Sequence, residues 1–155
     1  MKITYKTSGV DIKSASVFKL KLKPLVRKSF RQEVLTDIGG FGSFFKFDKN
    51  KYKNPVLVSS SDGVGTKLVI AKLANKHDTV GIDAVAMNVN DILCTGAEPL
   101  FFLDYVAFTK VKEKVLLDVV KGINAGCVEA GCSLIGGETA QMPGIEIHAN
   151  TMQTI

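Results

Sequence analysis

The hexapeptide DGVGTK at residues 62–67 combines a carboxylate, two glycines, a hydroxyl and a lysine within one short segment. The apolar run PVLVSS at 55–60 predicts a buried strand before it, and the Leu-, Ala- and Lys-rich stretch at 66–76 predicts a helix after it. Glycines allow close backbone approach, and a helix N-terminus attracts anions. Asp62 suits such a turn if a divalent cation bridges it to phosphate. The alternatives are a phosphate site, unlike a P-loop in spacing, or an ordinary tight turn.

A second unusual stretch is the helix predicted over 81–95, because no Lys, Arg or Glu occurs between Gly81 and Ala97. At about 100° per residue, Asn88, Asp91 and Thr95 share one small polar side, beside Ala84. This side indicates burial against a ligand or partner, or else a satisfied polar contact with a neighbouring loop. The opposite, apolar side contains Ile82, Val85, Ala86, Val89 and Leu93.

Glu138 is the third acidic position of interest. Gly136 and Gly137 end a strand predicted over 132–137, so we expect the Glu138 carboxylate on a turn at a strand terminus. With Asp62 and Asp91, it would form a set of three carboxylates around a Mg²⁺–triphosphate. Two further acids are lesser candidates, and the one inside an apolar strand must be paired or at a sheet edge: Glu98 and Asp104.

A glycine-rich stretch, GGFG at 39–42, interrupts an apolar segment. It predicts either a flexible loop or bulge leading into a hairpin, or a mobile flap whose amides meet phosphate oxygens. Before it, residues 1 to about 35 form an expected N-terminal extension with one short amphipathic helix around Ser14–Arg27. After residue 95, a strand at 100–108 and a helix at about 112–130 complete a layered sheet-and-helix domain. An i, i+4 stripe marks the core side of that helix: Val115, Val119, Ile123 and Cys127.

Composition narrows the classes of protein. The 155 residues suit one domain with a real core, with 46% hydrophobic and 23% charged residues. The net charge is +5, and many of the basic residues lie between Lys2 and Lys53, especially in Lys19–Arg31. We interpret this segment as a solvated face rather than a nucleic-acid site, and the alternative is that some of its lysines close over an anionic ligand. No apolar run is long enough to span a bilayer, and we expect a cytoplasmic protein. Cys127 and Cys132 are expected to be buried thiols, not metal ligands.

Three stretches together, DGVGTK, HDTVGIDAVAMNVNDILCTGAEPLFFLDYVA and GCSLIGGETAQMPG, strongly resemble aminoimidazole ribonucleotide synthetase, the phosphoribosylformylglycinamidine cyclo-ligase of purine synthesis. The likeness begins at YKTSGVDI (Tyr5–Ile12) and continues through GGFG to Gly144. It implies an α+β fold with a mixed sheet layered with helices, ATP and Mg²⁺ as cofactors, and formylglycinamidine ribonucleotide as substrate. It also implies a homodimer whose sheets join in a central barrel.

The resemblance also implies roles for individual residues. Three acids fall on the family's ATP- and metal-site positions: Asp62, Asp91 and Glu138. The phosphate-facing turn is matched by Gly63, Gly65, Thr66 and Lys67, and the helix motif by Asn88 and Asn90. The family's glycine-rich loop is matched by Gly39, Gly40 and Gly42. No residue is assigned a catalytic role.

The tail IEIHANTMQTI departs from the family, which continues into another strand and a second domain. We therefore expect three parts: an extension with the glycine loop at 1–54, a nucleotide-binding core at 55–144, and a divergent tail at 145–155 that leaves the sheet without its last strand. One hypothesis is a ligase half that is inactive alone. The alternatives are a non-catalytic ATP-binding or dimerisation module that pairs with a separate second half, or a related kinase or synthetase acting on another substrate.

Overall fold

The computed structural model describes residues 12–108, 112–141 and 152–154. Its elements are α1 (Ile12–Val26), a 3₁₀ turn (Arg27–Ser29), β1 (Ser60–Asp62), α2 (Lys67–Ala74), α3 (Asp78–Cys94), β2 (Phe101–Phe108), α4 (Glu113–Ala130), β3 (Ser133–Gln141) and β4 (Met152–Thr154). The mixed sheet has the order β1-β4-β2-β3, with β2 and β3 parallel and β4 antiparallel to both β1 and β2. Among the described residues, no helix is both long and apolar enough to cross a membrane.

The fourth strand comes from the divergent tail. Met152–Thr154 pairs with all three residues of β1, and at one position, Gln153 opposite Leu103, with β2. The tail therefore contributes a three-residue strand to the sheet, and the absence of the family's last strand stays a prediction. The rest of the tail, at 145–151 and 155, and the Tyr5–Asp11 part of the likeness lie outside the described residues.

Helices α3 and α4 pack against each other at unusually close range, and glycines permit it. A Cβ on Gly122 would lie 1.8 Å from the carbonyl oxygen of Asp78, and one on Gly81 would lie 2.2 Å from that of Val119. Interiors are already packed at crystal-like density, so the backbones could not remain in place around such atoms. On α4, the predicted stripe is confirmed for Val119, Ile123 and Cys127, which are buried.

Helix α1 belongs to the packed core. Phe18 and Val26 are buried there, at 4% and 2% exposure. The turn after α1 is fixed to β3, because the Ser133 hydroxyl donates to the Ser29 carbonyl at 3.0 Å and the Leu134 N–H donates to the Ser29 hydroxyl at 3.0 Å. The predicted extension thus covers the layer formed by α4 and β3.

The prediction of a buried strand over 55–60 is wrong. Residues 55–59 lie outside any strand, and β1 starts at Ser60. Val56 and Leu57 are largely exposed, at 84% and 68%. β-branched residues favour strands only where a neighbouring strand and a buried face receive them, and within the described part of the chain no strand pairs with this run.

The predicted end of β3 is also wrong. This strand continues from Ser133 through both glycines to Gln141, so Glu138 lies within the strand, opposite Tyr105, rather than on a turn. Parallel pairing extends as far as Phe108 opposite Gln141. The ladder with β2 outweighs the local preference of Gly136 and Gly137 for a turn.

The apolar side predicted for α3 is rotated in the structure. Val85 and Val89 are buried as expected, but Ile82 and Leu93 are 38% and 54% exposed. Ala84 and Asn88, from the small polar side, are completely buried instead. The polar side is therefore internal at Ala84 and Asn88, whereas Asp91 and Thr95 on the same side are exposed.

Candidate nucleotide site

The DGVGTK turn connects β1 to α2 and is anchored by Val64, which is 2% exposed. Gly65 adopts φ +57°, a left-handed conformation that glycine accepts without strain. Beyond the turn, the N–H groups of Lys67 and Leu68 donate to the carbonyls of Val64 and Gly65, each at 3.3 Å. Among the described residues, none accepts a hydrogen bond from the N–H groups of Val64, Gly65 or Thr66. These donors at a helix start provide the chemistry of an anion site.

Asn88 holds this turn in place from α3. Its Oδ1 accepts from the Asp62 N–H at 2.8 Å, and its Nδ2 donates to the Asp62 carbonyl at 3.0 Å and to the Ala84 carbonyl at 2.9 Å. The amide is fully buried and both of its ends are engaged. Of the two interpretations of this helix side, the satisfied contact with a neighbouring segment therefore describes Asn88, whereas Asn90 is exposed.

Asp62 and Asp91 lie on the two sides of the same seam between β1 and α3. The Asp62 carboxylate accepts from the Gly63 N–H at 2.7 Å, and the Asp91 carboxylate accepts from the Ser60 hydroxyl at 3.0 Å. Ser60 and Asp62 are two positions apart on one strand, which is about 7 Å of backbone. The structure thus brings Asp91 to the strand that carries Asp62.

Lys67 does not point free into solvent. Its ammonium lies 2.6 Å from Asp83 Oδ2 and 3.4 Å from the Met87 sulfur, both on α3. Sequence analysis missed Asp83 and Ser60 as members of this site. For Asp83 a signal existed, since Asp83, Met87 and Asp91 recur every four residues and so lie along one helix side.

Glu138 belongs to another part of the sheet. Asp62 is on β1 and Glu138 on β3, with β4 and β2 between them. Three strand spacings separate their backbones by about 14 Å, too far for both carboxylates to bind one ion. Within 17–108 and 112–141, no group of three His, Cys, Asp or Glu side chains could hold a metal ion. The pair Asp62 and Asp91 suits Mg²⁺, which binds through one or two carboxylates and keeps several waters.

The glycine loop approaches the Glu138 end of the sheet. It joins a hairpin-like pair in which Val34 bridges Phe45 and the Leu35 N–H donates to the Phe44 carbonyl at 2.9 Å. The Ser43 hydroxyl donates to the Ile135 carbonyl of β3. Three glycines form the exposed tip: Gly39, Gly40 and Gly42. The glycine stretch is thus the loop of this hairpin-like pair, and its function as a flap stays a prediction.

Asp104 is enclosed beside Glu138. Its Oδ1 lies 2.2 Å from the position that a Cβ on Gly137 would occupy, so the glycine makes room for the carboxyl group. Burial, and then the negative charge of Glu138, raise the pKa of Asp104 to about 7, against a backbone hydrogen bond that lowers it. Asp104 can therefore exchange a proton near neutral pH.

The other acid considered earlier, Glu98, is structural. It binds Lys51, the Tyr52 hydroxyl and Arg31, and these contacts hold the pKa of Glu98 at about 2. In the basic segment Lys19–Arg31, ion pairs are also the rule: Lys21 with Glu113, and Lys23 and Arg27 with Asp37. These contacts fit the interpretation of the segment as a solvated face.

Comparison with known proteins agrees with these features. Residues 49–154 match the family described as AIR synthase related protein, N-terminal domain, which includes β1, the turn, α2, α3 and β3. The chain belongs to this family. Phosphoribosylformylglycinamidine cyclo-ligases from Geotalea uraniireducens and Thermodesulfovibrio yellowstonii are 60% and 63% identical to it over 143 residues each, or 92% of this chain. The matched part is 41% and 42% of those two proteins. The chain thus spans less than half of their length.

A solved structure shows the same fold at low identity. Thiamine-monophosphate kinase from Stenotrophomonas maltophilia superposes with a TM-score of 0.63 and 19% identity, over 89% of this chain and 38% of the kinase. The α+β architecture, with a mixed sheet and helices, is therefore shared beyond the cyclo-ligases. The recognised likeness to the N-terminal part of the cyclo-ligases is confirmed.

Proposed function

We propose that this chain is the ATP- and Mg²⁺-binding half of a phosphoribosylformylglycinamidine cyclo-ligase. The observation that carries the proposal is the Asn88 clip, by which we mean the two hydrogen bonds between the Asn88 amide and the Asp62 backbone. The clip fixes the start of the turn, whose Val64, Gly65 and Thr66 N–H groups have no acceptor within the described part of the chain. Such a fixed turn can receive a phosphate group without first having to become ordered.

In this proposal, Asp62 and Asp91 hold Mg²⁺, which neutralises phosphate charge when bound. Gly63, Gly65 and Thr66 let the turn backbone approach the phosphates, and Lys67 supplies a cation. Asn88 acts indirectly, by holding Asp62, because its amide is buried. Glu138 lies on β3, at the other edge of the sheet, and the loop that contains Gly39, Gly40 and Gly42 contacts this strand through Ser43. We propose that this loop closes over the nucleotide. Asn90 is exposed and adjacent to Asp91 on α3.

The reaction itself requires more than this half. In the reaction that the resemblance implies, ATP phosphorylates the formamide oxygen of formylglycinamidine ribonucleotide, an amidine nitrogen attacks, and phosphate leaves. Holding the acceptor in line with the γ-phosphate can lower the barrier by about 7–11 kcal/mol. We propose that the part of the cyclo-ligases which this chain does not span supplies this positioning, within a cytoplasmic homodimer. The alternative is a non-catalytic module that pairs with a separate second half.

Titration calorimetry with Mg·ATP and with metal-free ATP tests the nucleotide site. Asp91→Asn keeps the shape of the side chain and removes its charge, so it should weaken Mg·ATP binding much more than binding of metal-free ATP. Asp118→Asn, on the distant helix α4, is the matched control and should change neither affinity. Equal affinity of the parent and Asp91→Asn proteins for Mg·ATP would refute the metal role of Asp91.

A further inference from the structure

Lys67, the cationic residue of the DGVGTK turn, forms an ion pair with Asp83 on α3. The ammonium lies 2.6 Å from Asp83 Oδ2, and the Met87 sulfur accepts from it at 3.4 Å. Both residues remain accessible, with side-chain exposures of 51% for Lys67 and 32% for Asp83. The lysine is therefore already paired in the nucleotide-free chain.

The contact is close but poorly aligned. Asp83 Oδ2 is enclosed by protein, yet it has no hydrogen bond of acceptable geometry among the described residues, although the Lys67 ammonium is at ion-pair distance. Partly exposed ion pairs contribute little free energy, and this one lacks the directional bonds that would strengthen it. A ligand that offers several anionic oxygens can compete for such a lysine.

We propose that Asp83 is a positioning residue that holds Lys67 against α3 in the free protein. When the nucleotide binds, Lys67 leaves Asp83 and pairs with the nucleotide phosphates instead. This inference rests on the proposed nucleotide site. Lys67 opens α2 directly after the turn, so its side chain needs only rotamer changes to turn from Asp83 towards a ligand at the N–H groups of Val64, Gly65 and Thr66. Asp83 thereby sets how readily the site accepts a polyphosphate before Mg²⁺ arrives.

The first experiment requires no nucleotide. The full chain and its Asp83→Asn variant are treated with a limiting amine-acylating reagent, and modification of Lys67 is measured by peptide mass spectrometry relative to Lys72 on the same helix. We expect Lys67 labelling to rise about two- to fivefold in the variant, because the paired ammonium is released. Unchanged Lys67 labelling would overturn the proposal. Asp78→Asn, on the same helix α3, is the matched control and should leave labelling unchanged.

The second experiment measures metal-free ATP binding. Asp83→Asn should bind ATP about three- to tenfold more tightly than the parent, and more tightly than Asp78→Asn, which reports the loss of a distant charge alone. In a Lys67→Met background, the gain from Asp83→Asn should shrink to that of Asp78→Asn. If the gain persists without Lys67, or if Asp83→Asn weakens binding, Asp83 does not act through Lys67.

The two experiments separate the inference from the proposed function. If Lys67 labelling rises in Asp83→Asn but no variant binds ATP, the ion pair is supported, and both the nucleotide site and the exchange are overturned. ATP protection of Lys67 from acylation in the parent would support the exchange directly. Matching far-ultraviolet circular dichroism and melting of the variants would show that a folding defect is not the cause.

Discussion

Asp104→Asn is the substitution for which the structure gives the most definite expectation. Asp104 lies on β2 opposite Gly137, and its carboxyl group lies against that glycine and near Glu138. Burial penalises the charged form, so the pKa of Asp104 is about 7 in the folded chain, against an ordinary value of 3.8. An asparagine keeps the shape of the side chain and removes this penalty.

The sign and size of the effect follow from linkage between protonation and folding. Because the folded pKa is raised, the carboxyl is neutral in the folded chain below about pH 7, and stability falls as pH rises from about 4 through about 7. One pKa unit corresponds to about 1.4 kcal/mol, so the penalty on the free energy of unfolding is about 4 kcal/mol near pH 8 and about 2 kcal/mol near pH 5.5. Asp104→Asn should recover these amounts.

Urea denaturation followed by circular dichroism, without divalent cations, measures both free energies of unfolding. We expect the parent to lose about 2 kcal/mol between about pH 5.5 and about pH 8, and Asp104→Asn to lose much less. Glu129→Gln removes an exposed carboxylate of α4 and is the matched control, which should retain the pH dependence of the parent. A parent at least as stable near pH 8 as near pH 5.5, or an Asp104→Asn protein destabilised near pH 8, would refute the reasoning.

Three further predictions concern packing, acid stability and catalysis. Gly122→Ala should destabilise the fold by about 1–3 kcal/mol or more in urea denaturation, because its Cβ would collide with the Asp78 carbonyl; wild-type stability would contradict the observed packing. Ion pairs and hydrogen bonds lower the pKa of Glu98 to about 2, so they stabilise the fold above about pH 4.5 and less as pH falls towards 2. Glu98→Gln should therefore reduce the fall of the melting temperature at acid pH. An unchanged fall would argue against these contacts. Finally, the purified chain with ATP, Mg²⁺ and formylglycinamidine ribonucleotide should form aminoimidazole ribonucleotide far more slowly than a full-length relative does. Robust turnover without a second chain would refute the proposal that this half needs further sequence for catalysis.

Elements with strong periodicity could be predicted from the sequence. Helices α2, α3 and α4 and strand β2 lie within a few residues of their predicted positions, because their residue types and apolar spacing favour those elements, although most apolar side chains of α2 are exposed. The run at 55–59 could not be predicted, since its composition suits a strand but the described residues offer no partner strand. The end of β3 was missed for the opposite reason, because a neighbouring strand supports residues that are locally turn-like.

The candidate site could be predicted in part. The turn and the approach of Asp91 to β1 follow from the residue types and the helical repeat. The distance of Glu138 from this turn depends on the order of the strands, which no local pattern reveals. The partner of Lys67 depends on how α2 lies on α3, a tertiary contact between segments whose sequences separately indicate only helices.

The Asn88 clip also has a consequence for the order in which this chain folds. It joins positions 26 residues apart, whereas the pairing of β1 with β4 closes a loop of roughly ninety residues, which costs about 1 kcal/mol more in chain entropy. The clip also forms between α3 and a short neighbouring segment, while β4 must arrive from far along the chain. The nucleotide turn should therefore acquire its shape early, in the folding transition state, and the sheet should close around it afterwards.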